Sequence, residues 1–139
     1  NDPVLHVCAG RIRDYPYAGL GPNDRTCDID PKQKPNYVID ASGPLPFCYG
    51  TGSWAAILAD PPYTVEDAGK YGDYPLPTAN VILARAFEHK ILRLGGRVGL
   101  LHYVWPQPPR GRDIREVAVI AVGTGRNNRA RWFTVWEER

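Results

Sequence analysis

The chain contains no methionine, three cysteines and three histidines, and it nowhere runs apolar for long. Each scarcity excludes something. A membrane helix needs roughly 20 consecutive apolar residues; no stretch approaches that, so a soluble protein with no membrane partner is expected. Cys8, Cys27 and Cys48 form no close pair and no zinc-like spacing. An odd number also argues against a secreted disulfide framework, so a reducing cytoplasmic setting fits best. His6, His89 and His102 lie too far apart in sequence to suggest a metal site, no carboxylate pattern supports one, and no metal is expected. The first residues enter an apolar strand without a charged leader, so no signal peptide is expected. Methionine is missing even at position 1, which implies a processed start or an N-terminal segment outside residues 1–139. Net charge is also scant, +2 at pH 7. It points to no partner, and the placement of arginine says more.

Glycine and proline are plentiful, 14 of each, and they punctuate short apolar runs. Seven runs read as strands: Val4 to Cys8, Arg25 to Ile29, Tyr37 to Ile39, Trp54 to Ala59, Arg97 to Tyr103, Val117 to Val122 and Arg131 to Trp136. One helix is predicted. Pro77-Thr78 supplies its start, Leu83, Phe87, Ile91 and Leu94 recur on one face, and Gly95-Gly96 closes it. The apolar run Val98 to Leu101 then reads as a parallel strand buried on both faces. Gly123 to Asn128 reads as a loop joining the last two strands as an antiparallel hairpin. The expectation is an α/β fold in one domain spanning 1–139, its sheet mainly parallel with an antiparallel last strand. Pro31 to Asn36, Ser42 to Ser53 and Pro106 to Arg115 are too short or Pro-rich for the usual helices, and the first is short even for a parallel crossover. Helical cover is therefore reduced, and a homo-oligomer or a covering partner segment is expected.

This outline, with the residues at its strand ends, resembles the Rossmann-like S-adenosylmethionine-dependent methyltransferases over nearly the whole chain, and in particular the amino-methyltransferases of nucleic-acid bases. Val4-Leu5-His6-Val7-Cys8-Ala9-Gly10 carries the likeness in the first strand and its turn. Asp28-Ile29-Asp30 carries it in the second, Ile39-Asp40-Ala41 in the third and Ala59-Asp60-Pro61-Pro62-Tyr63 in the fourth. The resemblance implies S-adenosyl-L-methionine as cofactor. Cys8, Ala9 and Gly10 would form the turn beside its methionine part, with Gly10 letting the backbone approach. Asp30, with Asp28 as rival, would accept the ribose hydroxyls, Asp40 would take the adenine amino group, and Asp60 would stand between cofactor and substrate.

The Asp60-Pro61-Pro62-Tyr63 segment is the expected catalytic centre. An exocyclic amine delocalises its lone pair into the ring, and the reaction needs that lone pair back. The Asp60 carboxylate and the Pro61 carbonyl can each accept one amino proton, favouring a pyramidal nitrogen. Two prolines hold those acceptors in place. Tyr63 can stack on an extruded base; the ring matters for that and the hydroxyl does not. Asp first and Tyr last look most like adenine amino-methyltransferases of DNA or RNA, with guanine open. Alternatives are a small-molecule or protein-amide methyltransferase, or an inactive cofactor-binding subunit supporting a partner.

Substrate contacts are expected from arginines in loops on the same sheet edge: Arg11 and Arg13 after the first strand, Arg110 and Arg112 after the fifth, Arg126 and Arg129 after the sixth. His102 at the end of the fifth strand and Trp105 in the loop beyond it join that group. Trp132 and Trp136 alternate with Thr134 and read as packing. Cys8 reads as a buried small side chain, since methyl transfer to an amine needs no covalent step. Gly123-Thr124-Gly125 lacks the lysine and the following helix of a phosphate loop.

Overall fold

In a computed structural model, which describes residues 2–14, 19–48, 53–70, 72, 74–88, 90–123 and 130–139, the strands form one sheet in the order β3-β2-β1-β4-β5-β7-β6. They are β1 (Val4–Val7), β2 (Arg25–Asp28), β3 (Tyr37–Val38), β4 (Trp54–Ala59), β5 (Leu92–His102), β6 (Ile114–Gly123) and β7 (Ala130–Glu138). β1 runs parallel to β2 and β4, β2 to β3, and β4 to β5. β7 is antiparallel to both β5 and β6. All seven strands read from the sequence are present, with the parallel and antiparallel sense expected of them. The hairpin loop between the last two falls, after Gly123, outside the described residues. The short crossover into β3 closes through a 3-10 turn, Pro31–Gln33, with Lys34 left-handed at φ 52°. The Asn36 carboxamide accepts from the Thr26 N–H at 2.9 Å. One side chain thus pins a two-residue strand that the chain length alone would hardly permit.

The described residues hold two short helices, α1 (Val65–Gly69) and α2 (Ala79–Ala86), in keeping with the reduced cover expected. Thr64 and Thr78 cap them by accepting from the Asp67 and Val81 N–H groups. The predicted helix ends eight residues early. Phe87 and Ile91 are buried as the periodicity requires, at 4% and 2% exposure, but a turn with Lys90 at φ 57° delivers them. Leu94 is 96% exposed. Trp54 pairs with Leu92 and Ala56 with Arg97, so residues 93–96, including Gly95-Gly96, bulge out of β5. Pairing to β4 competes with helix propagation and wins, because apolar residues three or four apart suit a turn into a buried strand as well as a helix.

The sheet buries its two faces unequally. Leu5, Val7, Ile57, Val98 and Leu100 meet Ile82 and Leu83 of α2 on one face, with Trp54 fully buried at its base; the Trp54 indole N–H donates to the Pro46 carbonyl at 2.7 Å. On the other face the Phe133 ring lies over Gly99. A Cβ there would come within 2.7 Å of the ring and 2.8 Å of Leu58, so only glycine lets the two side chains meet across the strand. Beside them on the edge strand, Ile120 is 54% exposed.

Candidate functional site

β1, β2 and β4 stop level with one another, since Val7 pairs with both Cys27 and Ala59, so the residues after each strand gather at one sheet edge. Cys8 and Gly10 both take positive φ, 54° and 48°, and reverse the chain just beyond β1. The Gly10 N–H donates to Asp28 Oδ2 at 2.8 Å and the Ala9 N–H to the Cys27 carbonyl at 3.1 Å. Asp28 therefore ties the first turn to the second strand.

A cavity of about 870 Å³ opens over these turns, walled by Cys8, Gly10, Asp28, Asp40, Asp60, Pro61, Pro62, Tyr63 and residues of α1, with Tyr74, Tyr103 and Arg131 among the other residues of its wall. That size suits a drug-sized ligand or larger. Its charged wall groups are Asp28, Asp40, Asp60, Glu66 and Asp67 against Lys70 and Arg131, so the space is acidic and favours a cation. Burial pushes the Cys8 thiol well above its usual range and the Cys27 thiol to about 12. Both stay protonated and unreactive at neutral pH.

Asp60 is the first residue beyond β4, and Pro61 behind it is fully buried. The Tyr63 hydroxyl donates to Asp60 Oδ1 and accepts from Arg131 Nη1 at 2.8 Å. The Arg131 guanidinium also lies 4.7 Å from the centre of the Tyr63 ring, which leans on Tyr103 at 4.4 Å and on the edge of His102 at 5.4 Å. Partial desolvation raises the Asp60 carboxyl above its ordinary 3.8, against the lowering pull of Tyr63, Arg131 and His102. Burial with the neighbouring carboxylate holds the Tyr63 phenol up, so it remains a donor. Burial lowers His102, and its Nδ1 accepts from the Val104 N–H at 2.9 Å, which leaves a neutral ring.

No protein-family model matches the sequence and no curated protein does. Solved structures match in fold. TrmN from Thermus thermophilus superposes with a TM-score of 0.63 at 18% identity, over 99% of this chain and 44% of that one. The 1,6-didemethyltoxoflavin-N1-methyltransferase of Burkholderia thailandensis, solved with 1,6-didemethyltoxoflavin and S-adenosylhomocysteine, gives 0.59 at 18%, over 99% of this chain and 71% of that one. The N-methyltransferase NodS from Bradyrhizobium japonicum WM9 gives 0.58 at 9%, over 99% and 85%. This is the Rossmann-like methyltransferase fold.

Within that fold, Cys8, Gly10, Asp28, Asp40, Asp60, Pro61, Pro62 and Tyr63 come together on one cavity wall as the sequence suggested, with Ala9 between the first two. Asp30 does not join them. Its carboxylate turns back to accept from the Lys32 N–H and the Gln33 amide, both at 2.9 Å, and these bonds lower its pKa. Asp40 uses Oδ1 on the Ser42 N–H at 2.8 Å. His102 stands behind Tyr63, and Trp105, 40% exposed, packs on Trp132 at 5.5 Å away from the wall.

Of the arginines expected on this edge, the structure moves Arg110 and Arg112 away from it. Arg112 pairs with Glu138 at 2.7 and 2.9 Å at the opposite edge, with Arg110 exposed in the turn just before it. β6 runs parallel to β5, so the chain has crossed the sheet before Ile114. Arg11 is an exposed partner of Asp14, and Arg13 is bound to Thr26 and Asn36. Arg126 and Arg129 lie outside the described residues. Among the described residues the arginine on the cavity wall is Arg131, which the sequence marks only as a strand residue. A cation opening an antiparallel last strand was the available signal, because such a strand begins where its parallel neighbours end.

Proposed function

We propose that this chain binds S-adenosylmethionine and transfers its methyl group to an exocyclic amino group of a nucleic-acid base, adenine first. The observation that carries the reading is a carboxylate, Asp60, set by a buried proline on the wall of a large acidic cavity, with the Tyr63, Tyr74 and Tyr103 rings nearby. The cofactor fits what is there. It is cationic at sulfur and at its amine, and the wall offers carboxylates; the turn at Gly10 has open space where a Cβ would stand. Asp28 is the better placed ribose acceptor and Asp40 remains the adenine-side group. When bound, the cofactor supplies an electrophilic methyl group.

The residues of this chain do the rest. Asp60 accepts a hydrogen bond from one N–H of the substrate amine and the Pro61 carbonyl accepts one from the other, turning the lone pair out of the ring. The amine nitrogen takes the methyl group as the methyl–sulfur bond breaks, leaving a neutral thioether, and gives up its one surplus proton to Asp60 or to water. The developing positive charge on nitrogen is stabilised by Asp60, a term that grows toward the transition state. The tyrosine rings offer flat surfaces on which an extruded base can lie.

A second reading, a small planar heterocyclic amine as substrate, is favoured by one observation. The cavity wall carries Glu66 and Asp67, which repel phosphates, and among the described residues Arg110 and Arg112 lie at the other sheet edge. A labelled-methyl assay with DNA, RNA and small heterocyclic amines, followed by identification of the methylated atom, decides between them. Label on a base amine supports the first reading, and label confined to free heterocycles supports the second. Cofactor binding without transfer to any acceptor would mean a supporting subunit.

A further inference from the structure

Arg131 opens β7 and reaches across β5 to the turn that follows β4. Its Nη1 donates to the Tyr63 hydroxyl at 2.8 Å, Tyr63 donates to Asp60 Oδ1, and the guanidinium lies 4.7 Å from the Tyr63 ring centre and 5.6 Å from that of Tyr103. Its Nε is buried without a hydrogen-bond partner among the described residues. Orphaned buried donors are rare in native proteins, and rules broken locally cluster at functional sites.

We propose that Arg131 is a positioning residue for methyl transfer, holding Tyr63 and Asp60 as one hydrogen-bonded chain so that Asp60 Oδ2 is left to accept from the substrate amine. The inference rests on the amino-methyltransferase reading above. A guanidinium lying over a ring fixes the plane of that ring. Donation from Nη1 occupies the phenol oxygen and directs the phenol proton at Asp60. The Tyr63 hydroxyl is therefore part of the machinery, contrary to the expectation that only its ring matters.

Arg131 also supplies charge. Asp60 is coupled to Tyr63 on its own turn, His102 at the end of β5, Cys8 beyond β1 and Arg131 on β7, while Tyr103 touches Tyr63 and Arg131. Asp28 and Asp40 share the cavity wall, and Lys70 there is engaged by Asp67 at 2.7 Å. Among the described residues, with His102 neutral and Cys8 protonated, Arg131 is the permanent cation coupled to Asp60 and offsets the desolvation of the carboxylate.

The test is a carbon-13 NMR titration of the Asp60 carboxyl in the full chain, as wild type, Arg131→Gln and Arg131→Lys. Arg131→Gln should raise the Asp60 midpoint by about one pH unit. Arg131→Lys should hold the midpoint near wild type, since the charge stays. It should still shift the Tyr63 ring resonances and lower turnover about ten- to hundredfold through misplacement. An unmoved Asp60 midpoint in folded Arg131→Gln overturns the proposal. If that variant does not fold, Tyr63 resonances unchanged in Arg131→Lys overturn it instead. The titration needs no methyl acceptor, so failure of the wild type to methylate any amine counts against the functional reading and not against this coupling.

Discussion

At the edge where β4 and β5 end, Asp60, Tyr63 and Arg131 share one chain of hydrogen bonds among aromatic rings, and Asp60 titrates above its ordinary range. At the opposite edge Arg112 holds Glu138, Arg93 holds Asp2, and Arg97 and Arg115 share Glu137, all with arginine side chains at least a third exposed. Both edges contain arginine–carboxylate chemistry, yet solvent makes them unequal. Exposed pairs are screened and contribute about 0–1 kcal/mol each. A carboxylate in a partly desolvated cavity responds to every neighbour, which is the condition for catalytic use.

Four measurements would break or sharpen that contrast. The largest effect is expected from Asp60→Ala, which should cut turnover by at least about 10²–10³-fold while the fold and most of the cofactor affinity survive. A well-folded variant that still turns over would remove the mechanism. Next, Asp28→Ala should weaken cofactor binding by about 1.5–3 kcal/mol, read by calorimetry. Asp30→Ala should leave affinity intact and cost about 1 kcal/mol of stability as a lost cap; the reverse pattern would return the ribose to Asp30.

The third measurement is the pH profile. Asp60 must be ionised to accept a proton, and its pKa is raised, so activity should be lost as pH falls through a value above 3.8. An acid limb at or below the ordinary carboxylate value would mean that desolvation does not govern this group. The smallest effect is expected from Arg112→Ala. It should lower stability by no more than about 1 kcal/mol, less at high salt, and leave turnover alone. A drop in transfer to nucleic acid would place substrate at that edge after all.

The open face carrying Phe133 and Ile120 bears on association. We propose self-association through it, because Ile120 is 54% exposed on the edge strand in register with Phe133, and a second copy laid there would take that apolar surface out of water. Light scattering at micromolar concentration should give more than the monomer mass, and Ile120→Lys should reduce it. A monomeric parent chain would contradict the proposal.

Alternating apolar residues and Gly-Pro punctuation were enough, from the sequence alone, to mark seven strands and their sense, because side-chain period and chain reversal are local properties. Topology then carries the strand-end residues Gly10, Asp28, Asp40 and Asp60 to one edge, so the strand-end part of the cavity wall was legible too. Tertiary structure decided what depends on competition or on distance. β5 pairing with β4 cut the helix at Ala86, and the bonds from Lys32 and Gln33 drew Asp30 into a cap while Asp28 took the turn at Gly10. The return of the chain before β6 carried Arg112 to the far edge. Arg131 reached Tyr63, and through it Asp60, across β5, a hydrogen bond between residues 68 positions apart in sequence that no local pattern encodes, since only the packed sheet brings those ends together.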